Sequence, residues 1–211
     1  MRMAELSARS GVPAPTIRFY LREGLVEPGR LTSPNQAVYS ESHVRRLRLV
    51  RALLEIGGLS VEAARAVIAA MESKSGNDFA VLGQVQYGLR SPARRSGASE
   101  STGDALAEVD ALIARQGWRV RERNPARQSL AEVVTTLRAI GRTEILDAVD
   151  DYARAADELA RREVDELLGI DGEEARAEAV IAASVLGDAM FSALRRLAQE
   201  SALASRIAPS N

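Results

Sequence analysis

Cysteine is absent from this chain of 211 residues, and histidine occurs only once, as His43. Without a thiol the chain forms no disulfide, thiolate metal site or iron–sulfur cluster, and it has no cysteine nucleophile. One imidazole cannot build a histidine-based metal site by itself, and a lone histidine is more typical of a surface or of the start of a helix. We therefore expect neither a metal nor any other cofactor.

Long apolar runs are also missing. No run approaches the roughly 18 residues of a membrane span, and the first residues, MRMAELSARSG, lack the apolar stretch of a signal peptide. Hydrophobic residues nevertheless make up 46% of the chain, which is enough to fill a core. These features predict a cytoplasmic protein with no membrane partner.

The usual signatures of catalysis are not found either. The chain has no glycine-rich motif that cradles phosphates and no pair of acids in a recognisable cleft pattern. Since cysteine and a second histidine are lacking too, the sequence predicts that the protein is not an enzyme.

Charge is distributed unevenly along the chain, although the net charge is only −1. Residues 1–51 contain nine arginines against four glutamates, a surplus of five positive charges. Residues 104–211 contain 14 arginines against 20 acids, a surplus of six negative charges. Because attraction to a polyanion depends on local charge, this pattern favours nucleic-acid binding by the N-terminal part alone.

Apolar spacing predicts a mainly α-helical protein with one hairpin near the N-terminus. Gly11 suits the left-handed position after a first helix, and Pro13 suits the entry to a second. Residues 26–40 are rich in turn formers and predict the hairpin, after which Ser42 is expected to cap a third helix. The helices predicted in this part are 3–10, 14–22, 43–56 and a fourth from Ser60 to about Met71.

The composition changes after the fourth helix. Residues 91–103 are short of apolar side chains and predict a flexible linker, preceded by a short amphipathic helix at 78–89. Further helices are predicted at 104–116, 127–140, 143–168 and 173–205. We therefore divide the chain into a winged helix-turn-helix DNA-binding domain (1–72), a dimerisation helix with linker (73–103) and an all-helical C-terminal domain (104–211).

The second helix has two different faces. Pro15, Arg18, Phe19 and Arg22 stand at i, i+3, i+4 and i+7 and form a stripe opposite Ile17. Two arginines with an aromatic residue suit a helix lying in a DNA groove, where arginine grips base edges or phosphates. The alternative is an ordinary amphipathic helix whose arginines are solvated.

Residues 3–68 contain the segments MAELSARSGV, TIRFYLREGLV and VYSESHVRRLRLVRALLEIGGLSVEAARAVI. In this order they resemble the winged-helix DNA-binding domain of the mercury-resistance-regulator (MerR) family. The resemblance implies a homodimer on double-stranded promoter DNA that acts on RNA polymerase indirectly, and therefore a nucleoid-associated protein. The residues that match DNA-contacting positions of the family are Thr16, Arg18, Phe19, Tyr20, Arg22, Arg30, Asn35, Gln36, Tyr39, Arg45, Arg46 and Arg48.

The sequence departs from the family pattern at three places. Phe19 replaces the first of two tyrosines, and Pro15 replaces a frequent polar residue. Residues 36–39, QAVY, stand where the first wing usually has Tyr-Arg-x-Tyr. We expect the bases that are read to differ from those of better-known members.

The C-terminal part resembles, through EVDALIARQGW and VLGDAMFSALRRLAQE, the all-helical C-terminal regions of some actinobacterial members of the family. Without cysteine, the remaining effector is a small organic molecule, or none. The bulky residues that are candidates for lining a pocket are Trp118, Tyr152, Met190 and Phe191; the alternative is that they are ordinary core. Asp147, Asp150 and Asp151 are spaced to hold a cation, but such a cluster is more often a solvated helix face.

The leading hypothesis is a sequence-specific, DNA-binding transcription regulator with an organic effector. The alternative is a DNA-organising or partner-binding module that has no effector switch.

Overall fold

The computed structural model describes residues 1–33, 36–72 and 100–207. Within these ranges the protein is mainly α-helical with one two-stranded sheet, which confirms the predicted fold class. The predicted helix at 78–89, residues 91–99 of the predicted linker and the predicted DNA contact Asn35 lie outside the described residues. We call residues 1–72 the head and residues 100–207 the body.

The head follows the predicted order of elements. Its helices are α1 (Met3–Ser10), α2 (Ala14–Arg22), α3 (Glu41–Arg51), which continues as a π-helical turn (Ala52–Ile56), and α4 (Val61–Glu72). Its strands β1 (Arg30–Ser33) and β2 (Gln36–Val38) pair antiparallel, with Arg30 opposite Val38.

The turn between α1 and α2 forms as the sequence predicts. Gly11 has a φ of 71°, in the left-handed region, and its N–H donates to the Ser7 carbonyl at 3.0 Å. Pro13 then occupies the position before α2, and Pro15 lies in the first turn, where backbone N–H groups have no helical partner. Gly11 and Pro13 therefore fix where α1 ends and where α2 begins.

The start of α3 differs from the prediction that Ser42 is its cap. Ser40 occupies the capping position, and its backbone N–H donates to His43 Nδ1 at 3.1 Å. The imidazole takes the place that glutamate or glutamine usually has in a capping box, so the helix begins at Glu41. Ser42 instead hydrogen-bonds to Ser40 through its hydroxyl, at 2.6 Å.

The core of the head is formed by side chains from all four helices. Leu6 of α1, Ile17 of α2 and Leu47 of α3 are fully buried, and Leu25 packs with them after Gly24 has ended α2. Gly24 has a φ of 69°, which lets the chain turn back at once. The apolar stripes predicted for these helices are therefore the ones that form the core.

The body consists of α5 (Glu100–Arg115), α6 (Pro125–Ala139), a 3-10 helix (Thr143–Ala148), α7 (Val149–Leu168) and α8 (Glu173–Ile207). The α5 helix begins inside the segment predicted as linker. Asn124 caps α6 by accepting a hydrogen bond from the Ala126 N–H at 2.9 Å. The predicted helix at 143–168 begins as a 3-10 helix and becomes α-helical only at Val149.

The α5 and α6 helices pack as a pair. Small side chains meet between them, with Ala105 and Val109 against Ala131 and Val134. Ion pairs flank this contact, including Arg138–Glu108 at 2.6 Å. The pairing depends on a narrow apolar seam with charged edges.

The first half of α8 packs against the head rather than against its own domain alone. Val180, Ile181 and Val185 form one buried cluster with Leu53 and Val67 of the head. At Gly57 a Cβ atom would lie 2.0 Å from Val185 Cγ1 and 2.8 Å from the Leu53 carbonyl oxygen. Only glycine permits this approach, so the turn after the π-helical segment is shaped for α8.

By length and composition alone, Ala175–Ile207 of α8 is also long and apolar enough to cross a membrane. This differs from the expectation that no such segment exists. Core helices of soluble proteins also meet these two criteria. In this helix Ala177, Val180 and Ile181 are buried in the cluster that α8 forms with the head. The contact with the head therefore accounts for these three apolar positions of the helix.

Candidate nucleic-acid interface

The α2 helix presents one face to the core and the other to solvent. Ile17 and Tyr20 are buried, whereas Pro15, Arg18 and Arg22 are exposed. This is the separation expected for a helix that buries one stripe and offers the other to a partner.

Thr16 and Phe19, also matched to DNA-contacting positions, are each partly buried on α2. The Phe19 ring packs against the core of the head with its centroid 5.9 Å from that of Tyr20. Phe19 therefore supports the orientation of α2 while leaving part of its ring accessible.

Two matched tyrosines lie in the core of the head. Tyr20 is buried, and desolvation, followed by the charge of Glu55, raises the pKa of its phenol. Tyr39 is buried as well, and its ring meets His43 edge-on with centroids 5.3 Å apart. Tyr20 packs on the buried side of α2 and Tyr39 lies under the hairpin, and neither ring is on the exposed face of the head.

The hairpin carries exposed polar groups at its base and along its strands. Arg30 and Gln36 are exposed, and the Thr32 hydroxyl donates to the Gln36 carbonyl at 3.3 Å. Gly29 is required here because a Cβ atom would come within 2.7 Å of the Tyr39 ring. The buried Tyr39 thus holds the hairpin in place from below.

The three matched arginines of α3 do not share one environment. Arg45 is exposed, and Arg48 Nη2 donates to the Arg9 carbonyl at 2.7 Å. The Arg46 side chain is only 16% exposed and forms an ion pair with Glu72 at 3.1 Å. Arg45 and Arg46 both border one cavity, whereas Arg48 faces the end of α1, so the structure does not bring all three side chains together.

Unpaired positive charge remains on the head. The arginines of the head that form no ion pair or hydrogen bond with another described residue are Arg18, Arg22, Arg30 and Arg45. Other arginines are engaged; for example, Arg9 donates to Glu41 at 3.0 Å. The free guanidinium groups include both on the exposed face of α2 and one on the hairpin.

Sequence reasoning missed two contacts that position this surface. Arg2 Nη1 donates to the Thr32 hydroxyl at 3.3 Å, which connects the start of α1 to the hairpin. Arg65 of α4 donates to the Glu23 carbonyl at 2.7 Å and holds the end of α2. The partners are 30 and 42 residues apart, so no local pattern in the sequence signals them.

The four candidates for an effector pocket lie in different environments. Trp118 Nε1 donates to Asp157 Oδ1 at 2.9 Å, and this bond, together with one from Arg161, lowers the pKa of the carboxyl. The Tyr152 hydroxyl accepts from Arg195 at 2.6 Å, while Met190 and Phe191 are exposed on α8.

None of these four candidates lines either of two cavities that lie among the described residues. The first, which we call the junction cavity, has a volume of about 310 Å³ and lies between the head and α8. Its lining residues are Val26, Glu27, Ser42, His43, Arg45, Arg46, Leu49, Met71 and Glu178. The second, of about 220 Å³, lies between α5, α6 and the start of α7.

Two of the three aspartates considered as a cation site form ion pairs with arginines. Asp150 pairs with Arg115 at 3.2 Å, and Asp151 pairs with Arg154 at 2.9 Å. Among the described residues, no group of three or more histidine or acidic side chains is placed to hold a metal ion. The solvated-face interpretation of this cluster fits the structure.

Comparison with known proteins places these features in a family. Residues 1–71 match the family model described as MerR HTH family regulatory protein. Heavy metal-dependent transcription regulator 2 of Rhizobium meliloti (strain 1021) is 33% identical over 75 residues, which are 36% of this chain and 50% of that protein. This chain therefore matches half the length of that curated relative.

A solved structure matches over the whole length. It is that of a candidate transcriptional regulator, SCO5550 from Streptomyces coelicolor A3(2), with 34% sequence identity and a TM-score of 0.73. The match covers 100% of both chains, so it includes the body as well as the head. The chain belongs to the MerR family of transcription regulators.

Proposed function

We propose that the protein binds a promoter operator as a homodimer and regulates transcription there in response to a small organic effector. The observation that carries this proposal is the exposed face of α2, where Arg18 and Arg22 have no ionic partner among the described residues. Since α2 is held from the other side by Ile17 and Tyr20, this face is rigidly presented.

The free arginines have different roles in this proposal. Arg18, in the middle of α2, contacts base edges in the major groove, where a bidentate arginine discriminates between bases by about 1–3 kcal/mol. Arg30, on the hairpin, contacts a phosphate and contributes affinity without sequence preference. Binding either distorts the promoter so that RNA polymerase can use it, or blocks it by occupancy; distortion costs deformation energy that phosphate contacts offset.

Dimerisation is supported by the second half of α8. Met190, Leu194 and Leu197 stand at i, i+4 and i+7 on one side of the helix and are all exposed. A second copy of the chain would cover this apolar stripe, in addition to any contribution from residues 78–89. We propose no catalytic step, and we place the protein in the cytoplasm with the nucleoid.

A module without an effector switch is the second candidate. One observation favours it: α8 is fastened to the head through the buried cluster of Leu53, Val67 and Ile181. A rigid connection of this kind is compatible with a constitutive DNA binder. Operator affinity that no small organic molecule changes would support this candidate.

The test is a gel-shift titration with DNA from upstream of the gene, at two salt concentrations and with random competitor. We expect Arg18→Ala to lose roughly 5- to 150-fold of the preference for the operator. Arg30→Ala should weaken binding to operator and random DNA equally and reduce the salt dependence by about one phosphate contact.

Arg162→Ala is the matched control, because Arg162 is exposed on α7 and paired with Glu158 at 2.8 Å, away from the head. It should leave both affinities unchanged. Equal losses for Arg18→Ala and Arg30→Ala on operator and random duplexes would contradict the assignment of α2 as the recognition helix.

A further inference from the structure

The second of the two cavities, which we call the body cavity, has a volume of about 220 Å³ and is formed by the body alone. The α5 and α6 helices supply two of its walls, and the 3-10 helix and the first residue of α7 supply a third. An apolar cavity of about 150 Å³ is enough to hold benzene. The body cavity therefore has room for one aromatic ring with a short substituent.

Most of the lining is apolar. Small side chains of α5 and α6 meet beside the cavity, and three of the residues that line it, Val109, Leu112 and Val134, are themselves buried. A wall of buried side chains is held in place by packing on its far side. The apolar residues of the lining, besides one alanine, are Val109, Leu112, Leu130, Val134, Leu146 and Val149.

Three charged residues also line the cavity, and two of them neutralise each other. Arg138 Nη2 donates to both carboxylate oxygens of Glu108, at 2.6 and 2.7 Å. Arg115 has a single hydrogen bond instead, from Nη2 to Asp150 Oδ1 at 3.2 Å, and Asp150 is not part of the lining. With two arginines against one glutamate, the lining has a surplus of one positive charge.

Arg115 is accessible to a ligand. Its side chain is 54% exposed, and Ala111, one turn earlier on α5, is an exposed part of the same lining. The cavity therefore opens on this side. A guanidinium group has five N–H donors, and Asp150 accepts from one of them, so Arg115 can bind a second carboxylate without losing its present partner.

We propose that the body cavity binds a small apolar monocarboxylate of about the size of phenylacetate. The ring lies against Val109, Leu112 and Val134, and the carboxylate accepts hydrogen bonds from Arg115 at the mouth of the cavity. This inference rests on the proposed function, in which an organic effector controls a DNA-binding regulator. It specifies the chemical class of that effector and its site.

The body cavity is connected to the head through α7 and α8. Tyr152, three residues after Val149, accepts from Arg195 of α8 at 2.6 Å, and the first half of α8 packs against the head. A ligand that contacts α5, α6 and the start of α7 together stabilises one arrangement of these helices. It changes operator affinity to the extent that DNA binding favours or disfavours that arrangement.

The experiment is isothermal titration calorimetry of the full chain with probes at up to about 10 mM, because fragments of this size have affinities near the millimolar range. The probes are phenylacetate, its neutral amide 2-phenylacetamide, the cation 2-phenylethylamine and acetate, which has no ring. We expect phenylacetate to bind roughly three- to tenfold more tightly than the amide, because only the acid forms a charged hydrogen bond with Arg115. The amine and acetate should not bind in this range.

Variants assign the contacts. Arg115→Met should abolish the preference for acid over amide. Ala111→Phe places a ring at the mouth of the cavity without removing a polar group, and it should abolish binding of phenylacetate. The matched controls are Arg154→Met, which breaks an exposed pair with Asp151 on α7, and Ala107→Phe, one turn before Ala111 and outside the lining. Both should leave binding unchanged, and circular dichroism confirms that each variant is folded.

A further variant predicts a gain rather than a loss. Asp150→Asn removes the carboxylate that shares Arg115 with the ligand, so phenylacetate should bind roughly 1.5- to 5-fold more tightly. Binding of the neutral amide should not change. A gain that is specific for the acid cannot result from damage to the fold.

The outcomes separate this inference from the proposed function. Absence of phenylacetate binding, equal binding of acid and amide, or unchanged binding to folded Ala111→Phe overturns the site. A preference for the acid that survives Arg115→Met overturns the role of that residue. The same protein preparations are tested for operator binding by gel shift. Operator binding without ligand binding defeats only the site, whereas ligand binding without operator preference defeats only the proposed function.

Discussion

The head and the body use apolar side chains in different ways. In the head, large side chains such as Leu6, Ile17 and Leu47 are fully buried. In the body, the seam between α5 and α6 is built largely from alanine and valine, while larger residues such as Ile140 and Leu197 are exposed. The head therefore has a core of its own, whereas the body depends more on contacts with neighbouring surfaces. The head covers the first half of α8, and in our proposal a second copy of the chain covers the second half.

Charge shows the same contrast. Several arginines of the body are held by nearby acids, as in Arg138–Glu108, Arg154–Asp151 and Arg161–Asp157. In the head, the arginines of the exposed α2 face have no such partner among the described residues. Pairing neutralises the body locally, and its absence leaves the head with a field that attracts a polyanion.

The largest expected effect tests the contrast in cores. Leu47→Ala removes a fully buried side chain, and we expect a loss of about 2–5 kcal/mol in the free energy of unfolding. Leu197 is 63% exposed, so Leu197→Ala should lower the free energy of unfolding by no more than about 0.5 kcal/mol in dilute protein. Urea denaturation measures both.

The same Leu197→Ala variant sharpens the comparison at higher concentration. If α8 supplies the dimer contact, size-exclusion chromatography with light scattering should show weaker association while the unfolding of the monomer is unchanged. Equal destabilisation by Leu47→Ala and Leu197→Ala would show that the body has a core comparable to that of the head.

The next effect concerns the contact between the two regions. Gly57→Ala places a methyl group against Val185 Cγ1 and the Leu53 carbonyl, and overpacking of this kind costs about 1–3 kcal/mol. We expect a decrease in Tm of about 2–12 °C for a chain of this size. Gly103→Ala on α5 is the matched control, since nothing lies within 4 Å of its added Cβ atom, and it should leave Tm unchanged or slightly raised. An unchanged Tm for Gly57→Ala would mean that α8 is not docked on the head in solution.

The smallest effect is a pH dependence of the α7–α8 contact. Burial raises the pKa of Asp188, and burial with the nearby charge of Asp188 raises that of Glu163. An acid whose pKa is higher in the folded state binds protons more tightly there. Its stabilising contribution is therefore complete below the ordinary carboxyl pKa and is lost as pH rises through the raised value.

Asp188→Asn removes this penalty at neutral pH. We expect a Tm at pH 7 that is higher than wild type by no more than about 1 °C, because Asp188 is exposed and solvent screens its charge, and no gain near pH 3. Asp165→Asn on α7 is the control, because it removes the same charge from a residue that is not among those acting on Glu163; its Tm is measured at the same two pH values. A gain for Asp188→Asn that is equal at both pH values would rule out protonation as its cause.

Much of the head was predictable because its signals are local. Gly11, Pro13 and Gly24 mark the bounds of α1 and α2, and each acts through the backbone conformation of its own residue. The α3 cap was assigned to the wrong serine because a histidine replaces the usual acid or amide three residues after Ser40. The hydrogen bond is nevertheless local, so a pattern that admits histidine would have found it.

The candidate site was predictable only in part. Helical spacing places Arg18 and Arg22 opposite Ile17, and the structure exposes them as expected. The same reasoning could not predict the environment of Arg46, because its ion-pair partner Glu72 and its neighbour Glu178 on α8 are distant in sequence. Nor could it show that Tyr39 is buried beneath the hairpin.

The sequence by itself determined the helical elements, the basic N-terminal part and the exposed arginines of α2, since these depend on backbone preferences, periodicity and charge over a few residues. Only the tertiary structure decided that α8 docks at Gly57, that Trp118 and Tyr152 have separate partners, and that His43, Arg46 and Glu178 line one cavity. These relations join residues more than 30 positions apart, and they arise from the packing of shapes that no local pattern encodes.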